Sequence, residues 1–331
     1  MGLSEVELAV DLTPEWLQAE VKEIMKISAE NLIPLLKKAS AIRASIISDN
    51  METNCFRLID GQADGVKDLI VDNYNGHLLA QSSHPEIFDN IILGSPYRSL
   101  YFKHLTRHEK SDPVYVWGEK IEGRFEALEN DLKYWIDFSS GYSQGIFLDQ
   151  RENRAWVKNH SQNKEVLNLF SYTCAFSVAA AAGGAKTTSV DLSKNYLRWG
   201  KDNFELNKLD LSGHSFLADD CVPVLQRLVK RGRKFDGIIL DPPSFSRNKR
   251  GKSMSLEKDL AGLVKLCAAL LKDSDSWLQV SSNLRKFSPD QFEKKCREGF
   301  EGHAIDFKKL KMPKDFRDHQ YLHAARIKDL G

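Results

Sequence analysis

The segment Phe235-Asp236-Gly237-Ile238-Ile239-Leu240 reads as a buried strand that runs into Asp241-Pro242-Pro243-Ser244-Phe245. Two consecutive prolines cannot extend a parallel strand: they lack the N–H that a ladder needs and restrict the residue before them, so the chain must turn outward at Asp241. In open α/β sheets such C-terminal strand ends are where ligands bind. The stretch that follows, Ser246 to Lys252, carries four cations in seven residues, Arg247, Lys249, Arg250 and Lys252. It suits a phosphate-bearing partner beside the strand end; a solvated basic turn is the plainer alternative.

The 331 residues suffice for two domains, and 47 basic against 46 acidic residues leave a formal charge of +1. A nucleic-acid binder with this balance must concentrate its cations locally instead of relying on an overall basic field. No apolar run approaches the length of a membrane span, and the start Met-Gly-Leu-Ser-Glu-Val lacks the basic and apolar regions of a signal peptide. A soluble, cytoplasmic protein is the expectation. Five scattered cysteines, Cys55, Cys174, Cys221, Cys267 and Cys296, contain no Cys-x-x-Cys pair and form an odd set. Neither a disulfide framework nor a metal site is indicated.

Thr13-Pro14 is a good helix start, and apolar residues from Trp16 to Ile27 follow helical spacing. A second helix is predicted over Ala29 to Ile47, with Pro34 inside it; Lys37, Lys38 and Arg43 face solvent or an acidic partner, the solvated face being preferred. From Cys55 the pattern changes to short segments, Cys55 to Asp60, Leu69 to Val71 and His77 to Gln81, the last two separated by Asn75-Gly76. Asn-Gly between apolar runs is the strongest short hairpin signal. With Val114 to Trp117 and Lys133 to Phe138, these segments predict a small β-rich domain over 51–140 after a helical segment over 1–50, ending in a linker near Ser139-Ser140-Gly141. Over 141–331 strand and helix alternate, the signature of βαβ units and a parallel sheet. Strands are predicted at Glu165 to Phe170, Thr187 to Val190, Ser215 to Ala218, Gly237 to Leu240, Trp277 to Ser281, Ala304 to Phe307 and Tyr321 to Ile327. The clearest helix is Leu256 to Leu271, whose apolar face includes Cys267 as a buried core thiol.

Three motifs stand in order on this pattern: Asn168-Leu169-Phe170-Ser171-Tyr172-Thr173, Val190-Asp191-Leu192-Ser193 and Asp241-Pro242-Pro243-Ser244-Phe245. They resemble the class I S-adenosylmethionine-dependent methyltransferases of the bacterial large-subunit rRNA group, in its I and K branches. Phe147 to Arg154 matches that group's lead-in, and Arg57 to Gly65 with Leu69 to Asp72 resembles the central domain of its cytosine-C5 members. The resemblance covers Cys55 to Ile327. It implies a Rossmann-like, doubly wound sheet, S-adenosylmethionine as cofactor and 23S rRNA as partner. The C5 members begin with a PUA RNA-binding domain, and the first fifty residues here resemble none. Their roles stay open between dimerisation, RNA binding and packing on the β domain.

Methylating C5 of cytosine requires a thiolate to add at C6, because the ring carbon is not nucleophilic until aromaticity is broken. In the C5 enzymes that cysteine lies after the fifth strand; here the segment reads Val280-Ser281-Ser282-Asn283-Leu284-Arg285-Lys286-Phe287. This segment, Val190 to Trp199 and Asp315-Phe316-Arg317 instead resemble the guanine-N7 domain of the fused large-subunit enzyme. Guanine N7 already offers a lone pair, so positioning and water exclusion suffice. Guanine N7 is therefore preferred over cytosine C5. The alternatives are exocyclic-amine methylation of adenine N6 or guanine N2, and a non-catalytic RNA-binding or ribosome-assembly protein with the same fold.

Asp191, at the second strand's end and 21 residues after Phe170, is placed to accept the cofactor's ribose hydroxyls, with Leu192 and Ser193 beside it. The plainer reading is a helix N-terminal carboxylate with Ser193 as cap. Asp219, Asp220 and Cys221 end the third strand where the fold receives the adenine; a helix cap before Pro223 is the alternative. The resemblance implies that Asn168 and the loop Phe170 to Thr173 lie under the methionine moiety, and position 174 is cysteine where the family usually has glycine. A positive φ there would cost around 1 kcal/mol. Gln150 and Arg151 reach the cofactor's carboxylate end by resemblance. Asp241, Pro242, Pro243, Phe245 and Asn283 are expected to form the catalytic wall, with Asp241 contacting the cofactor or the target base and Phe245 a stacking face for a flipped base or else plain core. Arg247, Lys249, Arg250, Lys252, Arg285 and Lys286 are expected to hold RNA phosphates.

Overall fold

The run Gly237–Leu240 forms strand β11, and all four of its residues are buried. A strand this apolar needs cover on both faces, which a parallel sheet with helices above and below supplies. The computed structural model describes residues 29–47, 52–83, 96–105, 112–140, 143–247, 253–318 and 320–330. The expected helix from Thr13 and the glycine of the expected linker, Gly141, lie outside the described residues.

Strand β11 sits at the middle of a seven-stranded sheet. On one side come β8 (Glu165–Leu169), β9 (Lys186–Asp191) and β10 (Ser215–Ala218); on the other, β14 (Trp277–Ser282), β16 (His323–Asp329) and β15 (Ile305–Leu310). The strands from β10 to β14 are parallel, whereas β16 runs antiparallel to β14 and to β15. This is the doubly wound class I methyltransferase fold that the motifs implied. Helices α2 (Arg151–Asn159), α3 (Ala175–Ala182) and α4 (Lys194–Leu206) alternate in sequence with its first strands. They are followed by α5 (Cys221–Lys230), α6 (Leu256–Ala268) and α7 (Pro289–Gly299). Residues of α5, α6 and α7 share one apolar cluster with β8, β11 and β14, and Cys267 is fully buried in it, as its spacing predicted. Residues of α2 and α3 build a second cluster with Ile239 and Trp277.

Local chemistry sets the helix starts. The Ser193 hydroxyl accepts the Tyr196 N–H at 3.3 Å and the Asp220 carboxylate accepts the Val222 N–H at 3.1 Å. Ser288 and Gln291 close a capping box ahead of α7, with Pro289 in its first turn.

Before this sheet, α1 (Ala29–Ile47) packs on a five-stranded sheet of β1 (Cys55–Asp60), β2 (Ile70–Tyr74), β3 (His77–Ser82), β4 (Ser99–His104) and β5 (Val114–Gly118), in that order. The Asn75-Gly76 turn joins β2 to β3 with φ values of 54° and 85°, the left-handed pair that a two-residue hairpin demands. A hairpin, β6 (Phe125–Glu129) and β7 (Leu132–Ile136), then lies against α4, where Asn203 and Asn207 accept the backbone N–H groups of Trp135 and Lys133.

The solvated face expected for Arg43 is not what folds. Arg43 is 1% exposed, its guanidinium gripping Asp64 at 2.7 and 2.5 Å and donating to the carbonyls of Arg57 and Asp315. Sequence spacing put it beside lysines, but burying its head pays off only because long-range acceptors reach it. Asp315 is fully buried and ties three parts of the chain together. Its two oxygens take the Arg151 guanidinium at 3.0 and 2.5 Å and the Arg57 N–H at 2.9 Å. Removing one member of a buried pair strands its partner in a dry interior, at a cost of about 3–5 kcal/mol. Asp315→Ala is therefore expected to lower unfolding stability by that amount in urea melts; an unchanged midpoint would show that the pair is not structurally needed.

Candidate active site

A cavity of about 1520 Å³ opens along the C-terminal ends of β8, β9, β10, β11 and β14. Of the residues expected to hold the cofactor, Gln150, Asn168, Phe170, Ser171, Tyr172, Thr173, Asp191, Leu192, Asp219, Asp220, Cys221 and Asp241 line it. So do all five expected catalytic residues, Asp241, Pro242, Pro243, Phe245 and Asn283. Ser193 and Arg151 are not among the lining residues. Ser193 is occupied as the cap of α4. Arg151 is 4% exposed and its head is committed to Asp315, so it positions the lead-in from behind the wall and does not face a ligand.

The turn after β8 carries concentrated backbone strain. Phe170, Tyr172 and Cys174 adopt φ values of 56°, 49° and 61°, all left-handed and all non-glycine. Each such residue costs on the order of 1 kcal/mol, and strain of this kind persists only where the surroundings over-determine it. Here Thr173 donates to the Gly145 carbonyl at 2.5 Å, Asn203 donates to the Thr173 carbonyl at 3.0 Å, and the Cys174 N–H reaches the Ser171 carbonyl at 2.8 Å. Opposite Cys174 stands Gly200, where an added Cβ would meet the Cys174 Sγ at 2.5 Å and its Cβ at 2.8 Å. A cysteine at 174 therefore requires a glycine at 200.

Asp191 closes this turn: its two oxygens accept the Tyr172 N–H at 2.9 Å and the Ser193 N–H at 2.8 Å. Burial pushes its carboxyl up, while the two backbone donors hold it down. Each oxygen retains acceptor capacity, so capping the loop and accepting a diol are compatible. Asp219 is held by the Asp220 N–H at 2.8 Å and by Arg227 at 2.5 Å, and Asp220 also caps α5. The Cys221 Sγ accepts the Phe170 N–H at 3.3 Å.

At the Pro-Pro turn, Asp241 accepts the Ser281 hydroxyl at 2.5 Å and the Gln150 amide at 3.3 Å, and burial pushes its carboxyl up. Ser244 donates to the Asn283 side-chain oxygen at 2.9 Å, joining the turn to the end of β14. Phe245 is 54% exposed, so it is a face of the cavity and not core. The basic stretch begins as a ribbon, β12 (Phe245–Arg247) paired with β13 (Ser253–Ser255), where a loop was expected. Lys249, Arg250 and Lys252 lie outside the described residues. Arg285 and Lys286 are exposed on the connection after β14.

Three lining residues were within the lead-in motif but had no assigned role: Phe147, Asp149 and Arg154. Phe147 is 45% exposed, with its ring 5.5 Å from that of Tyr172. Arg154 is spent on Glu129 at 2.6 and 2.7 Å. The Asp149 carboxylate accepts the Tyr321 hydroxyl at 3.0 Å; burial first, then the nearby charge of Asp241, pushes its carboxyl up to about 6. The motif itself was the available signal, but residue type alone does not separate wall from scaffold.

Residues 91–330 match the family described as S-adenosylmethionine-dependent methyltransferases. Among curated proteins, the chain is 34% identical over 299 residues to Bacillus subtilis YwbD, named as a ribosomal RNA large subunit methyltransferase, covering 85% of this chain and 74% of that one. It is 40% identical over 219 residues to ribosomal RNA large subunit methyltransferase K of Neisseria meningitidis serogroup B, covering 65% of this chain and 58% of that one. Among solved structures, SMU.776, a methyltransferase crystallised with S-adenosylhomocysteine (SAH), superposes with a TM-score of 0.81 at 29% identity, covering 91% of this chain and 82% of that one. The chain belongs to the S-adenosylmethionine-dependent methyltransferases. It is an enzyme whose cofactor is S-adenosylmethionine, which sets aside the non-catalytic scaffold.

The cavity fits that cofactor. Asp191 offers acceptors for a ribose diol, Asp219 and Asp220 offer acceptors one strand further on, and the turn from Phe170 to Thr173 lies between β8 and Asp191. When bound, the cofactor supplies an electrophilic methyl on a sulfonium. The chain's own task is to align a lone pair with it and keep water out.

Two outcomes follow from this geometry. Gly200→Ala should force the strained turn aside and weaken SAH binding in isothermal titration by roughly tenfold, in keeping with the 1–3 kcal/mol of overpacking, and Cys174→Gly in the same chain should restore it. Failure of the second change to rescue the first would break the pairing argument. For Asp149 the folded carboxyl binds its proton up to about 6 against an ordinary value of 3.8. Its contribution to stability is complete below the ordinary value and is lost as pH rises through about 6. Ligand-free Asp149→Asn should lack that loss, so thermal melts of wild type and variant should diverge across this window; parallel profiles would contradict it.

Proposed function

We propose that this enzyme methylates a base of large-subunit rRNA, with guanine N7 preferred over cytosine C5. The large-subunit rRNA names of the two curated relatives support the RNA substrate. The observation that carries the choice of atom is the state of the thiols. All five cysteines are buried. Burial pushes the Cys174 thiol up to about 12 and raises those of Cys55, Cys221, Cys267 and Cys296 as well. Attack on C6 of a cytosine needs an accessible thiolate, and a thiol in apolar surroundings stays protonated and inert. Cys221, which lines the cavity, stands at the start of α5 beside Asp220, is 3% exposed, and its Sγ is engaged by the Phe170 N–H.

Guanine N7 asks for less. Its lone pair is already available, so a stacking face and rigid walls do the work of alignment. Phe245 offers the face, Pro242 and Pro243 the wall, and Asp241 and Asn283 hydrogen-bonding groups tied to Ser281 and Ser244. The deciding experiment is mass spectrometry of rRNA nucleosides from cells with and without this gene. Selective loss of 7-methylguanosine is expected. Loss of 5-methylcytidine instead would overturn the choice of atom and direct attention to Cys221.

A further inference from the structure

The connection from β15 to β16 has two sides with different chemistry. Inwardly it reaches the cavity: Leu322 lines it and the Tyr321 hydroxyl donates to Asp149. Met312 and Phe316 anchor it as buried residues, while Lys311 and Lys314 are exposed. Register fixes which end of the sheet this is. Leu310 pairs with Ala324, and Ala324 with Ser281, so Lys311 leaves the sheet level with the end of β14. The connection that leaves β14 there carries the exposed Arg285 and Lys286. Two connections from the same sheet end thus present exposed cations, Lys311, Lys314 and the Asp64-bound Arg317 on one, Arg285 and Lys286 on the other.

Four of these differ from the other cations around them. Lys309 and Arg297 share the carboxylate of Glu293, and Arg317 pairs with Asp64, which also holds Arg43. Lys311, Lys314, Arg285 and Lys286 have no carboxylate partner among the described residues. Unpaired cations gathered beside a cavity attract a polyanion, and exposed lysines spread along a surface suit successive phosphates better than one small anion. The exposed rings of Phe147 and Phe245 on the cavity lining offer stacking faces, which only unpaired bases can use.

We propose that Lys311 and Lys314, together with Arg285 and Lys286, form a phosphate track along which a single RNA strand enters the cavity from the β15–β16 side. This rests on the reading of the substrate as RNA. The test is fluorescence anisotropy of a labelled single-stranded RNA oligonucleotide titrated with the full chain over a series of KCl concentrations. Lys311→Gln with Lys314→Gln should weaken binding and flatten the dependence of log K on log salt by about 0.7 per lysine removed. Lys230→Gln with Arg231→Gln, at the far end of α5, should leave the slope unchanged. SAH titration of each variant checks that the fold is intact. A wild-type slope in the Lys311/Lys314 variant would overturn the track while leaving the RNA substrate standing. Wild-type protein without salt-dependent RNA binding would overturn the substrate reading and the track with it.

Discussion

The buried carboxylate of Asp315 is the contact on which the arrangement of this molecule depends. A fully desolvated charge is tolerable only if every acceptor site finds a donor, and Asp315 finds the Arg151 guanidinium and the Arg57 N–H. Its neighbours extend the same logic. Asp60 accepts the N–H groups of Arg317 and Asp318 and one arm of Arg57, whose other arm holds Asp72. Asp64 is gripped by Arg43 and by Arg317. The segment after β15 is thereby locked to β1 and α1, and Arg151 brings the lead-in to the same point. Phe147, Asp149 and Gln150 reach the cavity from the residues just before Arg151, so the network that joins the five-stranded sheet to the seven-stranded one also sets one wall of the site.

The opposite wall stores strain instead of charge. Three left-handed residues in the turn after β8 are costly, and Asp191 bonds the Tyr172 N–H at the centre of them. A ligand that uses the remaining acceptor sites of Asp191 binds a group whose orientation the fold has already fixed. Asp149 and Asp241, both pushed up by burial, likewise sit in a desolvated wall before any ligand arrives. Preorganisation of this kind exchanges stability of the free protein for alignment of the reactants.

Much of the site was legible because its residues cluster at strand ends, and strand ends are marked locally. Asp241 is followed by two prolines, Asp191 by a capping serine, and Asp220 by the first turn of a helix, so each could be placed without knowing its neighbours. Arg151 was misplaced, and for Arg43 the acidic partner and not the preferred solvated face is what folds, for one reason: a guanidinium's direction depends on where an acceptor lies, and theirs lie 164 and 21 residues away in sequence. Phe245 remained ambiguous between core and cavity face because an aromatic after Pro-Pro satisfies either, and only the ribbon of β12 and β13 settles its exposure.

By itself the sequence determined the doubly wound sheet, the order of its motifs and the absence of a cysteine from Val280 to Phe287 at the end of the fifth strand, because periodicity, turn chemistry and residue identity are local properties. Tertiary structure alone decided that Gly200 must face Cys174, that Asp149 joins the cavity wall, and that Lys311 and Lys314 stand beside Arg285 and Lys286. Those facts depend on antiparallel pairing and helix packing between distant segments. No local pattern encodes them, since burial and charge are set by which surfaces meet.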